Sequence, residues 1–89
     1  MLERELRVSN RLGLHARAAA KLVQLLSAYK AQVTLTGRGR EVNAKSIMGV
    51  LLLAAAPGAS LLLRCDGEDE AAAAEAAAAL FERRFDEDG

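Results

Sequence analysis

The chain has one histidine, His15, set in Gly13-Leu14-His15-Ala16-Arg17, two residues before an arginine and at the threshold of an amphipathic segment. These residue types at this spacing suit the handling of a phosphoryl group. A helix N-terminus offers N–H groups without intrahelical partners and a positive partial charge. An anion held on or beside His15 would therefore meet the dipole, the donors and a guanidinium together. A neutral imidazole also supplies a nucleophilic nitrogen near pH 7. From these five residues alone, a histidine that only caps a helix beside a solvated Arg17 is an equally available reading.

A second segment, Lys45-Ser46-Ile47-Met48-Gly49, places a serine before a short apolar stretch. Serine is a favoured N-cap, where its oxygen accepts a backbone hydrogen bond worth about 1 kcal/mol. Ile47, Met48, Leu51 and Leu52 can be core, but a helix of about two turns cannot bury every side of both pairs. Part of the set, Met48 especially, is expected on an exposed patch.

The elements that must position these residues follow from patterning. Leu2, Leu6 and Val8 alternate with Glu3, Glu5 and Arg7, which predicts a strand with one face buried. Ser9 to Leu14 reads as a loop, and Ala16 to about Ala28 as a helix burying Ala19, Leu22, Val23 and Leu26, with His15 at its N-cap. Gln32 to Thr36, a turn at Gly37-Arg38-Gly39, and Arg40 to Asn43 form a hairpin. A short helix follows Ser46 and ends within Ala54 to Ser60. Leu61 to Asp66 is a strand, and the acids of Asp66-Gly67-Glu68-Asp69 suit the start of the next helix. Residues 70 to 85 are alanine-rich and predict a helix with Ala73, Ala77, Leu80 and Phe81 buried, followed by a fraying acidic tail from Asp86 to Gly89. The order β-α-β-β-α-β-α predicts an α+β fold, a four-stranded, mostly antiparallel sheet with helices on one face. No linker divides residues 1–89, so one domain is expected.

Composition narrows the chemistry. With 89 residues the core is thin and a large enclosed active site is not expected. Aliphatic residues must carry the packing, since the chain is 52% hydrophobic but only 3% aromatic. The formal net charge is zero, yet residues 1–45 hold nine Lys/Arg against three Asp/Glu and residues 46–89 hold the reverse. The basic excess, including Arg11, Arg17 and Lys21, surrounds His15 and suits an acidic partner, although intramolecular charge balance would also account for it. The one cysteine, Cys65, excludes an intrachain disulfide framework and a multi-cysteine zinc site, and no metal or cofactor is expected. The longest apolar run, Ile47 to Ala56, is too short to cross a bilayer, which points to a cytoplasmic protein without membrane insertion.

Taken together, the two pentapeptides, their separation and the element order resemble HPr, the histidine-containing phosphocarrier family of the bacterial phosphotransferase system, over nearly the whole chain. The resemblance implies an open-faced β-sandwich of HPr type, a four-stranded antiparallel sheet covered on one face by three helices. It implies a phosphocarrier of the phosphoenolpyruvate-dependent sugar system that is not an enzyme in its own right. Phospho-Enzyme I would phosphorylate Nδ1 of His15, and enzyme IIA components would receive the group. Arg17 would orient and partly neutralise it, and the backbone N–H groups of Ala16 and Arg17 would hold its oxygens. Ser46 becomes a regulatory site for an HPr kinase/phosphorylase. Ala20, Lys21, Gln24, Ile47, Met48 and Leu51 become partner-binding residues on a monomer. Where the family usually has proline after the arginine, this chain has Ala18. That change forgoes a pre-set φ, restores one donor and is expected to alter transfer rates.

Other classes fit less well. A nitrogen-branch regulatory carrier shares the His15 motif and matches Val50 to Ala56 and the Asp66-Gly67 turn at least as well. A hydrolytic or metal-dependent enzyme lacks a ligand set, and the acids lie far from His15 in sequence. A nucleic-acid module would need a basic balance, aromatic platforms or a helix-turn-helix pattern, none of which is present.

Overall fold

The structure, a computed structural model, describes residues 1–87. Its elements are β1 (Leu2–Arg7), α1 (Ala16–Leu26), β2 (Gln32–Gly37), β3 (Arg40–Asn43), α2 (Ile47–Leu52), β4 (Ser60–Asp66) and α3 (Glu70–Glu82), followed by a single tight turn at Arg84–Asp86. The strands form one antiparallel sheet in the order β1-β4-β2-β3, and the three helices cover one face. This is the open-faced α+β architecture anticipated from the sequence.

Strict alternation fixes which face is buried. Along β4, Leu61, Leu63 and Cys65 point inward between more exposed residues. The register sets Leu6 opposite Leu61, Leu35 opposite Leu63 and Val33 opposite Cys65, so like faces meet across the ladder. Leu22 and Leu26 of α1, Val50 of α2, and Leu80 and Phe81 of α3 close this layer. The outer face is polar, with Arg64 paired to Glu3 at 2.9 Å and to Glu41 at 3.6 Å.

The hairpin turns on Arg38 and Gly39, with φ 55° and 77°, the positive pair of a type I′ turn. Gly37, expected in the turn, belongs to β2. A Cβ there would stand 2.4 Å from Leu61 Cδ2, so this glycine serves packing between strands.

Several boundaries differ from the sequence reading. Helix α1 stops at Leu26, two residues early, where Ser27 Oγ donates to the Val23 carbonyl at 2.7 Å. Its buried stripe contains Ala18 in place of Val23, which is only partly covered. Asp69 stands at the start of α3 without capping it through its side chain. Its carboxylate instead accepts from the backbone N–H groups of Lys30 and Ala31, both at 2.8 Å, and ties the α1–β2 connection to the helix start. Those bonds, Lys30 first, hold the Asp69 carboxyl below the ordinary aspartate range.

The largest departure is at the C-terminal end. Helix α3 ends at Glu82, short of residue 85, because tertiary contacts override the helical propensity of its alanines. Arg84, Phe85 and Asp86 then take φ of 56°, 56° and 60°, the left-handed region that costs L residues about 1–2 kcal/mol each. Phe85 is fully buried, its ring 4.8 Å from that of Phe81. The acidic tail therefore does not fray at its first two residues. Asp86 pairs with Arg83 at 2.9 Å, and Glu87 turns back onto the loop before α1. Asp88 and Gly89 lie outside the described residues.

Candidate functional site

The loop from Asn10 to Leu14 is held against the loop after α2. Gly13 has φ 70°, and a Cβ there would lie 2.4 Å from the Ala55 carbonyl oxygen, while Leu14 N–H donates to that oxygen at 3.0 Å. Only glycine permits this approach. The loop is also tied internally, because the Nδ2 of buried Asn10 donates to the Gly13 carbonyl at 2.8 Å.

These constraints deliver His15 to the N-cap of α1 with φ −79° and ψ 179°. Its carbonyl accepts from Ala19 N–H at 2.9 Å, and its ring Nδ1 accepts from Arg17 N–H at 3.3 Å. At the other edge of the ring, Nε2 meets the Glu87 carboxylate. With Nδ1 accepting from Arg17 N–H, a ring proton is assigned to Nε2 beside the Glu87 carboxylate, and Nδ1 is the nitrogen whose lone pair faces the start of the helix. The imidazole is about one quarter exposed, enough for a reactant to reach it.

Around the ring lies an open cleft of about 930 Å³, where Arg11, Arg17 and Lys21 face Asp86 and Glu87. Lys21 Nζ donates to the Phe85 carbonyl at 2.6 Å, fastening the C-terminal turn to α1. Glu87 also accepts from Asn10 Nδ2 at 3.0 Å. That bond above all, then the contact with His15 and the charge of Lys21, keeps the Glu87 carboxyl below the usual carboxylate range against the opposing effect of partial burial.

The sequence-predicted residues fall into two adjoining groups. His15, Ala16 and Arg17 stand together at the start of α1, with Lys21 one turn on and Gln24 exposed beyond it. Ala20 is half-buried. Helix α2 packs beside α1 and exposes Ile47 (42%), Met48 (68%) and Leu52 (57%). Leu51 is half-buried, packing on the core with one side, and Leu52 is the more exposed of the two. Leu12, at 67% exposure, is a further apolar side chain in the His15 loop. Ser46 caps α2, its Oγ accepting from Gly49 N–H at 3.1 Å.

Asn10 and Glu87 were not singled out from the sequence. Asn10 carried only a loop signal, and Glu87 is 72 residues from His15. The distance of the acids from His15 along the chain therefore misleads, because the left-handed turn brings one of them to its ring. No helix among the described residues is long and apolar enough to cross a membrane.

A small open sheet that presents one histidine at a helix N-cap is also the arrangement of a known class. Over the full length of both chains, the structure matches the crystal structure of HPr-C-His from Thermoanaerobacter tengcongensis with a TM-score of 0.96 at 38% identity. Residues 2–83 match the family model described as the PTS HPr component phosphorylation site, and the chain belongs to this HPr phosphocarrier family of the bacterial phosphotransferase system. Phosphocarrier protein HPr of Xylella fastidiosa strain Temecula1 is 61% identical over 99% of both chains. Phosphocarrier protein NPr of Shewanella violacea is 41% identical over 97% of this chain and 94% of its own.

Proposed function

We propose that the protein carries a phosphoryl group on His15 Nδ1, taking it from phospho-Enzyme I and giving it to enzyme IIA components of a sugar phosphotransferase system. The observation that carries this reading is the placement of the imidazole, whose Nδ1 accepts from Arg17 N–H at the start of α1 while Nε2 lies against the Glu87 carboxylate. In the step, the Nδ1 lone pair attacks phosphorus, the Nδ1–P bond forms and the donor's P–N bond breaks. Arg17 offers a planar guanidinium to the phosphoryl oxygens, and the N–H groups of Ala16 and Arg17 lie at the positive end of the helix. Helix-end effects of about 0.3–2 kcal/mol suit a carrier that must hold its cargo without trapping it. The protein is then a stoichiometric participant that acts as a cytoplasmic monomer, with no bound cofactor or metal.

Partners dock on the exposed parts of Ala20, Lys21, Gln24, Ile47, Met48 and Leu51, beside His15. Ser46 serves as a regulatory site for an HPr kinase/phosphorylase. A phosphate there adds about −1.5 to −2 charges at the start of α2, which favours the helix and repels an acidic partner. The similarity to an NPr supports a second reading, a nitrogen-branch regulatory carrier. Competition between sugar-branch and nitrogen-branch Enzyme I, each charged with phosphoenolpyruvate, decides between the two. Faster labelling by the sugar-branch enzyme and onward transfer to a IIA are expected; preference for the nitrogen-branch enzyme would overturn the sugar assignment.

A further inference from the structure

Two local costs converge on one carboxylate. The first is the run of three left-handed residues, Arg84 to Asp86, none of them glycine. Such conformations persist only where surrounding structure enforces them, and they cluster at functional sites. Here the enforcement comes from buried Phe85 and from Lys21 Nζ donating to its carbonyl. The second is Asn10, whose buried Oδ1 has no hydrogen-bond partner among the described residues. The orientation of that amide is dictated by its other end. Nδ2 donates to both the Gly13 carbonyl and Glu87 Oε1, and a flipped amide would set an oxygen against two acceptors. Both features leave Glu87 Oε2 against His15 Nε2.

We propose that Glu87 is the positioning residue of the phosphoryl-transfer site, holding the proton on His15 Nε2 and offsetting the positive charge that the ring acquires when Nδ1 bonds to phosphorus. This inference rests on the carrier reading and adds a role for a residue that reading does not use. When the neutral ring attacks, the Nδ1–P bond forms, the donor's P–N bond breaks, and Nε2 keeps its hydrogen. The product is a phosphoimidazolium, and Glu87 is the carboxylate at its far edge. In the return step the same proton lets His15 depart as neutral imidazole instead of an imidazolate. The arrangement parallels the carboxylate behind the histidine of hydrolase triads, which orients the ring and stabilises its cation without taking the proton. Among the described residues, the other charged groups that line the cleft with the ring are Arg11, Arg17, Lys21 and Asp86. The three cations disfavour a ring cation and Asp86 is paired with Arg83, so among the described residues the compensation falls to the acid in contact with Nε2.

The test uses phosphoramidate as a small phosphoryl donor, so that partner docking plays no part. Its P–N bond breaks and ammonia leaves as His15 is phosphorylated. Labelling rates are compared for the wild type, Glu87→Gln, Glu87→Asp and Glu87→Ala, and the exchange of the His15 Hε2 proton with water is followed by NMR. Glu87→Gln keeps the shape but removes the charge. It should label about 10- to 100-fold more slowly, the loss expected of one charge-assisted hydrogen bond, with aspartate restoring part of the rate. Hε2 exchange should quicken in Glu87→Ala while its melting temperature stays near that of the wild type, which separates loss of this contact from undocking of the whole C-terminal turn. Equal labelling by all four proteins with unchanged Hε2 exchange would overturn the proposal. If labelling by phosphoramidate depends on Glu87 but no Enzyme I phosphorylates the wild type, the carrier reading fails while the role of Glu87 stands.

Discussion

Replacing Phe85 with alanine separates a docked C-terminal turn from a frayed tail. The ring is fully buried and tilted by 59° against Phe81 at 4.8 Å between centroids. Truncating such a ring costs about 3–5 kcal/mol. Domains have roughly 0.05–0.15 kcal/mol of stability per residue, or about 4–13 kcal/mol for a chain of 89. The substitution thus touches a large share of the total. Leaving the left-handed region would return about 3–6 kcal/mol for the Arg84–Asp86 run, but it also gives up the Lys21 bond to the Phe85 carbonyl and the Glu87 contacts with Asn10 and His15, so most of that relief is offset. We expect a net loss of about 2–3 kcal/mol. With an unfolding entropy near 0.19 kcal/mol/K for this length, the melting temperature falls by about 10–15 °C. Urea titration followed by far-UV circular dichroism gives the free energy, and a calorimetric scan gives the temperature. Glu87 rides on the same turn, so protection of the His15 ring proton should be lost with the stability. A loss below about 1 kcal/mol at an unchanged urea m-value would show that the turn is not docked, and the account of the C-terminal end would be wrong.

Three further predictions follow from single residues. Ala54 is exposed with φ 47° just beyond α2, so Ala54→Gly should stabilise by about 0.5–1 kcal/mol, the left-handed cost less the greater entropy glycine loses on folding, raising the melting temperature by about 3–5 °C; a decrease would show that the strain is absent. Ser46→Ala should cost about 1 kcal/mol in chemical denaturation through loss of the α2 cap, whereas Ser46→Asp should fold normally and slow labelling by Enzyme I, and equal labelling rates would remove the electrostatic account of regulation. Asp69 has its folded pKa depressed, first by the Lys30 N–H bond, so its contribution is fully present above the unfolded value of about 3.9 and is lost as pH falls through the lower folded value. Asp69→Asn should therefore melt below the wild type at pH 7, and the gap should narrow on acidification below about pH 4; a gap that does not change with pH would remove Asp69 from the acid response.

The sheet and two helix starts are legible in the sequence because each rests on local physics. Period-two alternation marks β1 and β2, a short apolar run marks β4, and Ser46 and His15 stand at caps where their side chains accept backbone N–H groups. The places where pattern fails are those decided by contacts between distant segments. Gly37 resembles a turn glycine but answers to Leu61, and Asp69 resembles a cap but binds the backbone at Lys30 and Ala31. An alanine-rich helix carries little information about where it ends, because each added alanine favours another turn. What stops α3 is the set of contacts made by Phe85, Lys21 and Glu87. The half of the site formed by His15, Ala16 and Arg17 is contiguous in sequence and could be read there. The half formed by Asn10 and Glu87 exists only after folding.

The central claim is that His15 is the phosphoryl acceptor. The most direct measurement is incubation with phosphoenolpyruvate and Enzyme I, then intact mass and peptide mapping under non-acidic conditions, with His15→Ala alongside. One acid-labile phosphate mapped to His15 and missing from the variant is the predicted result. A folded wild-type protein left unmodified by both sugar-branch and nitrogen-branch Enzyme I, or phosphate that persists in His15→Ala, would contradict it.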